Sequence, residues 1–135
     1  MRRIATACAA IALLALGGLV LSGRDDGAPA GSASAAILVP ELTGDVAEGK
    51  TLFGEYCAAC HGENGAGTDQ GPPLIHPIYE PGHHPDAAFF LAARNGVRGH
   101  HWQFGNMMPV EGVTDDELAK IVAYVRAVQR ANGID

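Results

Sequence analysis

The pentapeptide Cys57-Ala58-Ala59-Cys60-His61 constrains this chain more than any other stretch. Two thiols with two residues between them, followed at once by an imidazole, form the attachment signature of a c-type haem. The sulfurs can add to the two vinyl groups, leaving the histidine beneath the iron. Other chemistries use paired thiols. A structural zinc site needs a second Cys or Cys/His pair at ligand spacing, and the remaining cysteine, Cys8, lies in an apolar leader. A redox-active disulfide of thioredoxin type sits in a βαβ pattern, absent here, and does not require the adjacent histidine. Motif and context together favour haem.

From Leu42 to Asp135 there are 94 residues, close to the size at which a cofactor or disulfides help stabilise a fold. A haem gives that help as a large apolar body around which short helices pack. The aromatic content of 6% is tolerable if a porphyrin fills the centre. Formal net charge is −6, and loss of Arg2 and Arg3 with a leader makes it −8. An extended nucleic-acid surface is therefore not expected, and a charged partner should present a basic patch.

Three segments divide the chain. Residues 1–22 carry Arg2 and Arg3 and then an 18-residue charge-free run, Ile4 to Leu21, which reads as a signal peptide or an N-terminal membrane anchor. As a helix that run would span roughly 27 Å, just short of a ~30 Å hydrocarbon core, so cleavage and retention both stay open. Either way the globular part is expected in the periplasm, soluble or tethered to the inner membrane. Residues 23–41, rich in Gly, Ala, Ser and Pro, read as a flexible linker, and 42–135 as the domain.

Within the domain, Thr43 or Asp45 can cap a first helix that runs to the cysteines, with Glu48 in its first turn. Val46, Gly49, Phe53 and Tyr56 share one face, and Gly49 would let another helix approach closely. The cysteines are expected to close this helix. Gly62-Glu63-Asn64-Gly65-Ala66-Gly67 follows no strand and precedes no Gly-Lys-Ser/Thr, so it predicts a tight loop rather than a phosphate cradle. In Gly71-Pro72-Pro73-Leu74 a locked backbone can offer a carbonyl at Pro72 to the Nδ1 proton of His61, and Leu74 would cover the porphyrin. Pro85 fits the first position of a short middle helix that stops at Asn95-Gly96.

The stretch from Val97 to Pro109 is irregular and holds Met107 and Met108. A thioether on a proline-stiffened loop can reach a sixth iron position, where it raises the reduction potential; methionines also serve as core filler. Thr114-Asp115-Asp116-Glu117 is a capping box that opens the last helix. Leu118, Ile121, Val122, Val125 and Val128 form its apolar face, Arg126 and Arg130 favour its C-terminal end, and Gly133 ends it. This helix should cross the first near Gly49 and Phe53, with Tyr124 at the crossing.

In order and spacing, this chain resembles a class I (Met/His) c-type cytochrome of the small bacterial monohaem kind, over Asp45 to Gln129. The resemblance implies an all-α cytochrome c fold, with three to four short helices around one covalent haem c and crossing terminal helices. It implies Cys57 and Cys60 as thioether residues, His61 as proximal iron ligand, and Pro72 and Leu74 in the haem pocket. Family members place the distal methionine before proline, as Met108 stands. In similar small bacterial proteins, however, the loop reads Gly-Asp-Met-Pro-Pro before a Gly-x-Thr-Asp helix start. That register selects Met107, with Met108 the alternative.

The function that follows is single-electron transfer between redox partner proteins, without catalytic turnover: an electron carrier rather than an enzyme. The competing reading is a haem c subunit or module of a larger oxidoreductase, copper-linked through extra histidines. Five imidazoles accompany His61: His76, His83, His84, His100 and His101. Histidine with methionine suits copper. Adjacent His-His pairs diverge, though, unless the loop gathers them. The plainer expectation has these rings lining haem propionates, capping the middle helix at His84, or facing solvent.

Overall fold

The computed structural model describes residues 36–135. The leader and most of the linker lie outside the described residues. Four α-helices follow one another: α1 (Gly44–Tyr56), α2 (Ala58–His61), α3 (Asp86–Asn95) and α4 (Asp115–Ala131), with 3₁₀ turns at Glu63–Gly65 and Pro77–Tyr79. Among the described residues no helix is long and apolar enough to cross a membrane. Strands are absent from the same residues, and the one isolated bridge pairs Val97 with Met107 in antiparallel sense. The all-α expectation therefore holds.

The crossing of α1 and α4 forms the core. Phe53, Leu118, Ile121, Tyr124, Val125 and Val128 are buried there together with Leu74, Ala93 and Val113. A Cβ on Gly49 would lie 2.1 Å from the Lys120 carbonyl oxygen and 3.1 Å from Cβ of Tyr124. The two backbones thus touch where only glycine fits. The Phe53 and Tyr124 rings meet beside this point, 5.5 Å apart and tilted by 57°, within the favourable range for aromatic pairs. Glu48 and Asp116 flank the Lys120 ammonium at 3.0 Å each.

The start of α4 is built as its sequence predicts. Thr114 Oγ1 accepts from the Glu117 N–H at 3.3 Å, while a Glu117 carboxylate oxygen accepts from the Thr114 N–H at 2.8 Å. That oxygen also accepts from the Thr114 hydroxyl. These reciprocal bonds occupy donors that the first helical turn leaves free. Both Thr114 donations hold the Glu117 carboxyl below its ordinary value. Upstream, Ile37 and Val39 pack against the core, and Asn132 clips the Leu38 backbone through both its N–H and its carbonyl.

Several local expectations are corrected. Thr43 stands at the α1 N-cap, but its hydroxyl makes no capping bond, and because the helix begins at Gly44 the first-turn acid is Asp45 and not Glu48. Cys57 closes α1, yet the chain then turns once more into α2, so the cysteine segment is itself helical. Pro85 is the N-cap of α3 rather than its first residue. His84 does not cap α3; its Nδ1 donates to the Ile78 carbonyl at 2.6 Å.

The largest addition is at Arg126, which the sequence marked only as favouring the C-terminal end of α4. It is only 6% exposed. Its guanidinium donates to Asp86 at 2.7 Å, to the Tyr79 carbonyl at 2.7 Å, to Gln129 Oε1 at 2.6 Å and to the His84 carbonyl. The planar fork reaches several acceptors at once, and the Phe89 ring lies 4.8 Å away against its face. Gln129, fully buried beside it, donates to the Leu74 carbonyl at 2.9 Å. One turn of α4 thereby anchors the segment from Leu74 to Asp86.

Candidate haem attachment site

Cys57, Cys60 and His61 share a single turn. The His61 N–H donates to the Cys57 carbonyl at 2.9 Å, and the Cys60 N–H to the same oxygen at 3.2 Å. Residues three and four apart lie on one side of such a turn, so both thiols and the imidazole are presented together. Both thiols are free, Cys57 half-buried and Cys60 exposed. Burial, with Cys60 beside it, pushes the Cys57 thiol up to about 11.

The loop after α2 folds back onto this turn. Thr68 Oγ1 donates to the Cys60 carbonyl at 2.6 Å. A Cβ on Gly71 would come within 2.9 Å of that same oxygen, so this contact again requires glycine. Asn64, the one described non-glycine residue in the left-handed region at φ 54°, accepts from the Tyr124 hydroxyl at 2.8 Å and ties the loop to α4. Asparagine tolerates that conformation, and this was a readable signal. Thr68 gave none, because a hydroxyl seven residues past a histidine has no recognisable pattern.

Beyond this loop His61 Nδ1 lies 2.9 Å from the Pro72 carbonyl oxygen. A carbonyl can only accept, so Nδ1 carries the proton and the Nε2 lone pair is left for another partner. Burial lowers the His61 pKa, against the raising effect of the Pro72 bond, and favours the neutral imidazole that binds metals. Leu74, two residues on, is buried in the core, and its N–H donates to the Gly65 carbonyl at 2.8 Å.

The methionines sit on the far loop. Met107 exchanges two backbone hydrogen bonds with Val97, at 2.9 and 3.0 Å. Opposed residues in such a pair share a face, and the next residue takes the other. Met107 is half-buried, whereas Met108 is 75% exposed. Below this bridge, Trp102 Nε1 donates to the Tyr79 hydroxyl at 3.1 Å and the Trp102 ring meets His76 edge-on.

These residues fit a covalently attached haem. Two unpaired thiols and an imidazole with its outer nitrogen tied to a carbonyl supply the donor set. Large apolar side chains also stay uncovered on α3 and the loop bearing Met107, among them Leu91, Phe104 and Met108. Such surface is what an apolar macrocycle would cover. Two sulfurs, at the successive positions Met107 and Met108, are available as a distal partner.

No curated protein and no solved structure matches the chain. A family model does: the one for cytochrome c matches residues 46–129, from the first turn of α1 to the last turn of α4. The chain therefore belongs to the cytochrome c family, whose members hold haem c covalently and transfer electrons through it, one haem being typical of a domain this small.

Proposed function

We propose that this protein is a periplasmic single-electron carrier. Cys57 and Cys60 would hold the haem through thioether bonds, with His61 as the proximal iron ligand and Met107 as the distal one. The observation that carries the reading is the hydrogen bond from His61 Nδ1 to Pro72 O. It sets the tautomer and orientation of the ring, and it is the outer contact that metal-bound histidines ordinarily make. When bound, the haem supplies one-electron chemistry, its iron passing between Fe(III) and Fe(II).

The protein's own residues do the rest. Pro72 holds His61 upright, while the Val97 bridge pins the backbone of Met107 and so limits where its sulfur can travel. Pro72 and Leu74 contribute to the pocket wall. Met107 is preferred to Met108 because it shares the half-buried Val97 face, while its neighbour is turned outward and mostly exposed. With His61 and Met107 both bound, a haem iron would have no position left for a substrate, which would suit a carrier rather than an oxygen-activating enzyme. Without Arg2 and Arg3 the chain carries a net charge of −8, so a basic docking face on the donor or acceptor is expected. Residues 1–22 are the export signal or inner-membrane anchor and the linker after them is the tether, but its last residues, from Ile37, already pack against the core, so the carrier domain begins there rather than at Leu42.

The test uses oxidised holoprotein with the Met107→Ala and Met108→Ala variants. A far-red sulfur-to-iron charge-transfer band should be present in the parent, lost in Met107→Ala and kept in Met108→Ala. Survival of the band in Met107→Ala would overturn the distal assignment. Fractionation should find the protein in the periplasm or on the inner membrane, and recovery from the cytoplasm would refute the location. Stoichiometric co-purification with a large oxidoreductase would replace the free carrier by a fixed subunit.

A further inference from the structure

Two histidine dipeptides far apart in the chain meet at one place. His83 and His84 lie in the turn before α3, and His100 and His101 in the loop between Val97 and Met107. The Nε2 atoms of His83 and His101 face one another at 3.4 Å. In a tetrahedral site with metal–nitrogen bonds of roughly 2.0–2.1 Å, two ligand nitrogens stand about 3.3–3.4 Å apart, the edge being about 1.63 times the bond. The observed spacing thus equals a ligand-to-ligand edge. Ligand atoms of His83, His84 and His101 all lie within 4.8 Å of one another, so a small ring movement brings in the third.

His84 is already oriented for this role. Its Nδ1 is held by the Ile78 carbonyl at 2.6 Å, which leaves Nε2 as the free donor. It is half-buried, while His83 and His101 are exposed and open to an ion from solvent. The three donors are all imidazole nitrogens, a set that selects zinc and copper over calcium or magnesium.

We propose that His83, His84 and His101 bind one divalent transition-metal ion, Zn²⁺ or Cu²⁺, and that this ion clips the loop bearing Met107 to the turn before α3. Besides the Val97 bridge, the loop is held by Gly99 N–H donating to Asn106 Oδ1 at 3.1 Å and by Trp102 donating to Tyr79. An ion bound by His101 adds a tie six residues before Met107. The site uses none of Cys57, Cys60, His61 and Met107, and its existence does not depend on how the haem iron is ligated.

The experiment titrates full-chain holoprotein with Zn²⁺ in one arm and Cu²⁺ in another, against a chromophoric chelator. One ion per chain should be taken up, more tightly in the Cu²⁺ arm by the usual order of divalent affinities. His83→Ala and His101→Ala, both at exposed positions, should each weaken uptake more than tenfold while the helical signal and haem spectrum stay unchanged. His84→Ala should do the same if it folds, and the two exposed variants decide the matter if it does not. Amide exchange at Val97 and Met107 should slow when the ion is added. Failure of stoichiometric uptake in both arms, or uptake indifferent to His83→Ala and His101→Ala, would overturn the site. Unchanged exchange in the metal-loaded protein would overturn the clip.

Discussion

Replacing Gly49 by alanine sets two effects against each other within one helix. In an isolated helix the change is favourable by about 1 kcal/mol, because alanine loses less backbone freedom than glycine. Here the new Cβ would lie 2.1 Å from the Lys120 carbonyl oxygen, and contacts under 3.0 Å essentially never occur. The difference, 3.0 − 2.1 = 0.9 Å, is the least distance by which α1 and α4 must separate. The obstructing atom is backbone, so no side chain can swing aside. Separation would also loosen the contact of Phe53 with Tyr124 and the bond from Tyr124 to Asn64.

Overpacking of this kind costs about 1–3 kcal/mol, and lost core contact adds to it. Against the propensity gain the net expectation is a loss of about 2 kcal/mol, or about 10 °C in Tm for a domain of this size. Gly54 is the internal control. It lies in the same helix, and its Cβ would meet nothing within 4 Å. Gly54→Ala should therefore be neutral to stabilising by up to about 1 kcal/mol. Thermal and urea unfolding of both holoproteins, followed by circular dichroism, reads the two signs. If Gly49→Ala unfolds at or above the parent temperature, the close approach of α1 and α4 does not limit that position.

Arg126→Ala should cost about 3 kcal/mol in urea unfolding, since it strands the His84 carbonyl and Gln129 Oε1 around an emptied site, while the Tyr79 carbonyl keeps its bond from Gln129 Nε2; a loss below about 1 kcal/mol would mean that water replaces the guanidinium without penalty. Thr114→Ala should lower stability by about 1 kcal/mol through the lost cap. The Glu117 carboxyl is held below its ordinary value of 4.5 by the Thr114 backbone N–H first and the Thr114 hydroxyl second. Its contribution is therefore full above that value and fades as pH falls through the lowered one. Stability profiles below pH 4.5 should accordingly be shallower, though not flat, in Thr114→Ala, because the backbone donor remains; an identical acid slope would show that the hydroxyl plays no part.

What was legible in the sequence was carried by neighbours along the chain. Periodicity placed α4 and its buried face, and the spacing of Thr114 and Glu117 announced the capping box. A glycine in the middle of an apolar face marked the α1–α4 contact at Gly49. A proline turn downstream of His61 indicated where a carbonyl could meet its ring. In each case the determining partner lies within a few residues, or the residue type allows little else. The extra turn at Ala58–His61 was missed because four residues carry too little pattern to separate a helical turn from a cap.

The loops were decided by tertiary structure alone. Nothing local distinguishes Arg126 from Arg130, yet one is buried under four acceptors and the other solvated, because only the first faces the segment that returns from Leu74 to Asp86. The Val97–Met107 bridge, which gives successive methionines different surroundings, joins positions ten residues apart in a stretch without periodicity. Sequence supplied the histidines in two dipeptides, and only folding brought His83 and His101 to 3.4 Å. The attachment signature and the helix pattern are properties of short sequence separations, so the chain alone determined them. Which side chains gather around the distal loop depends on how distant segments pack, and the fold settles that through contacts that no local spacing encodes.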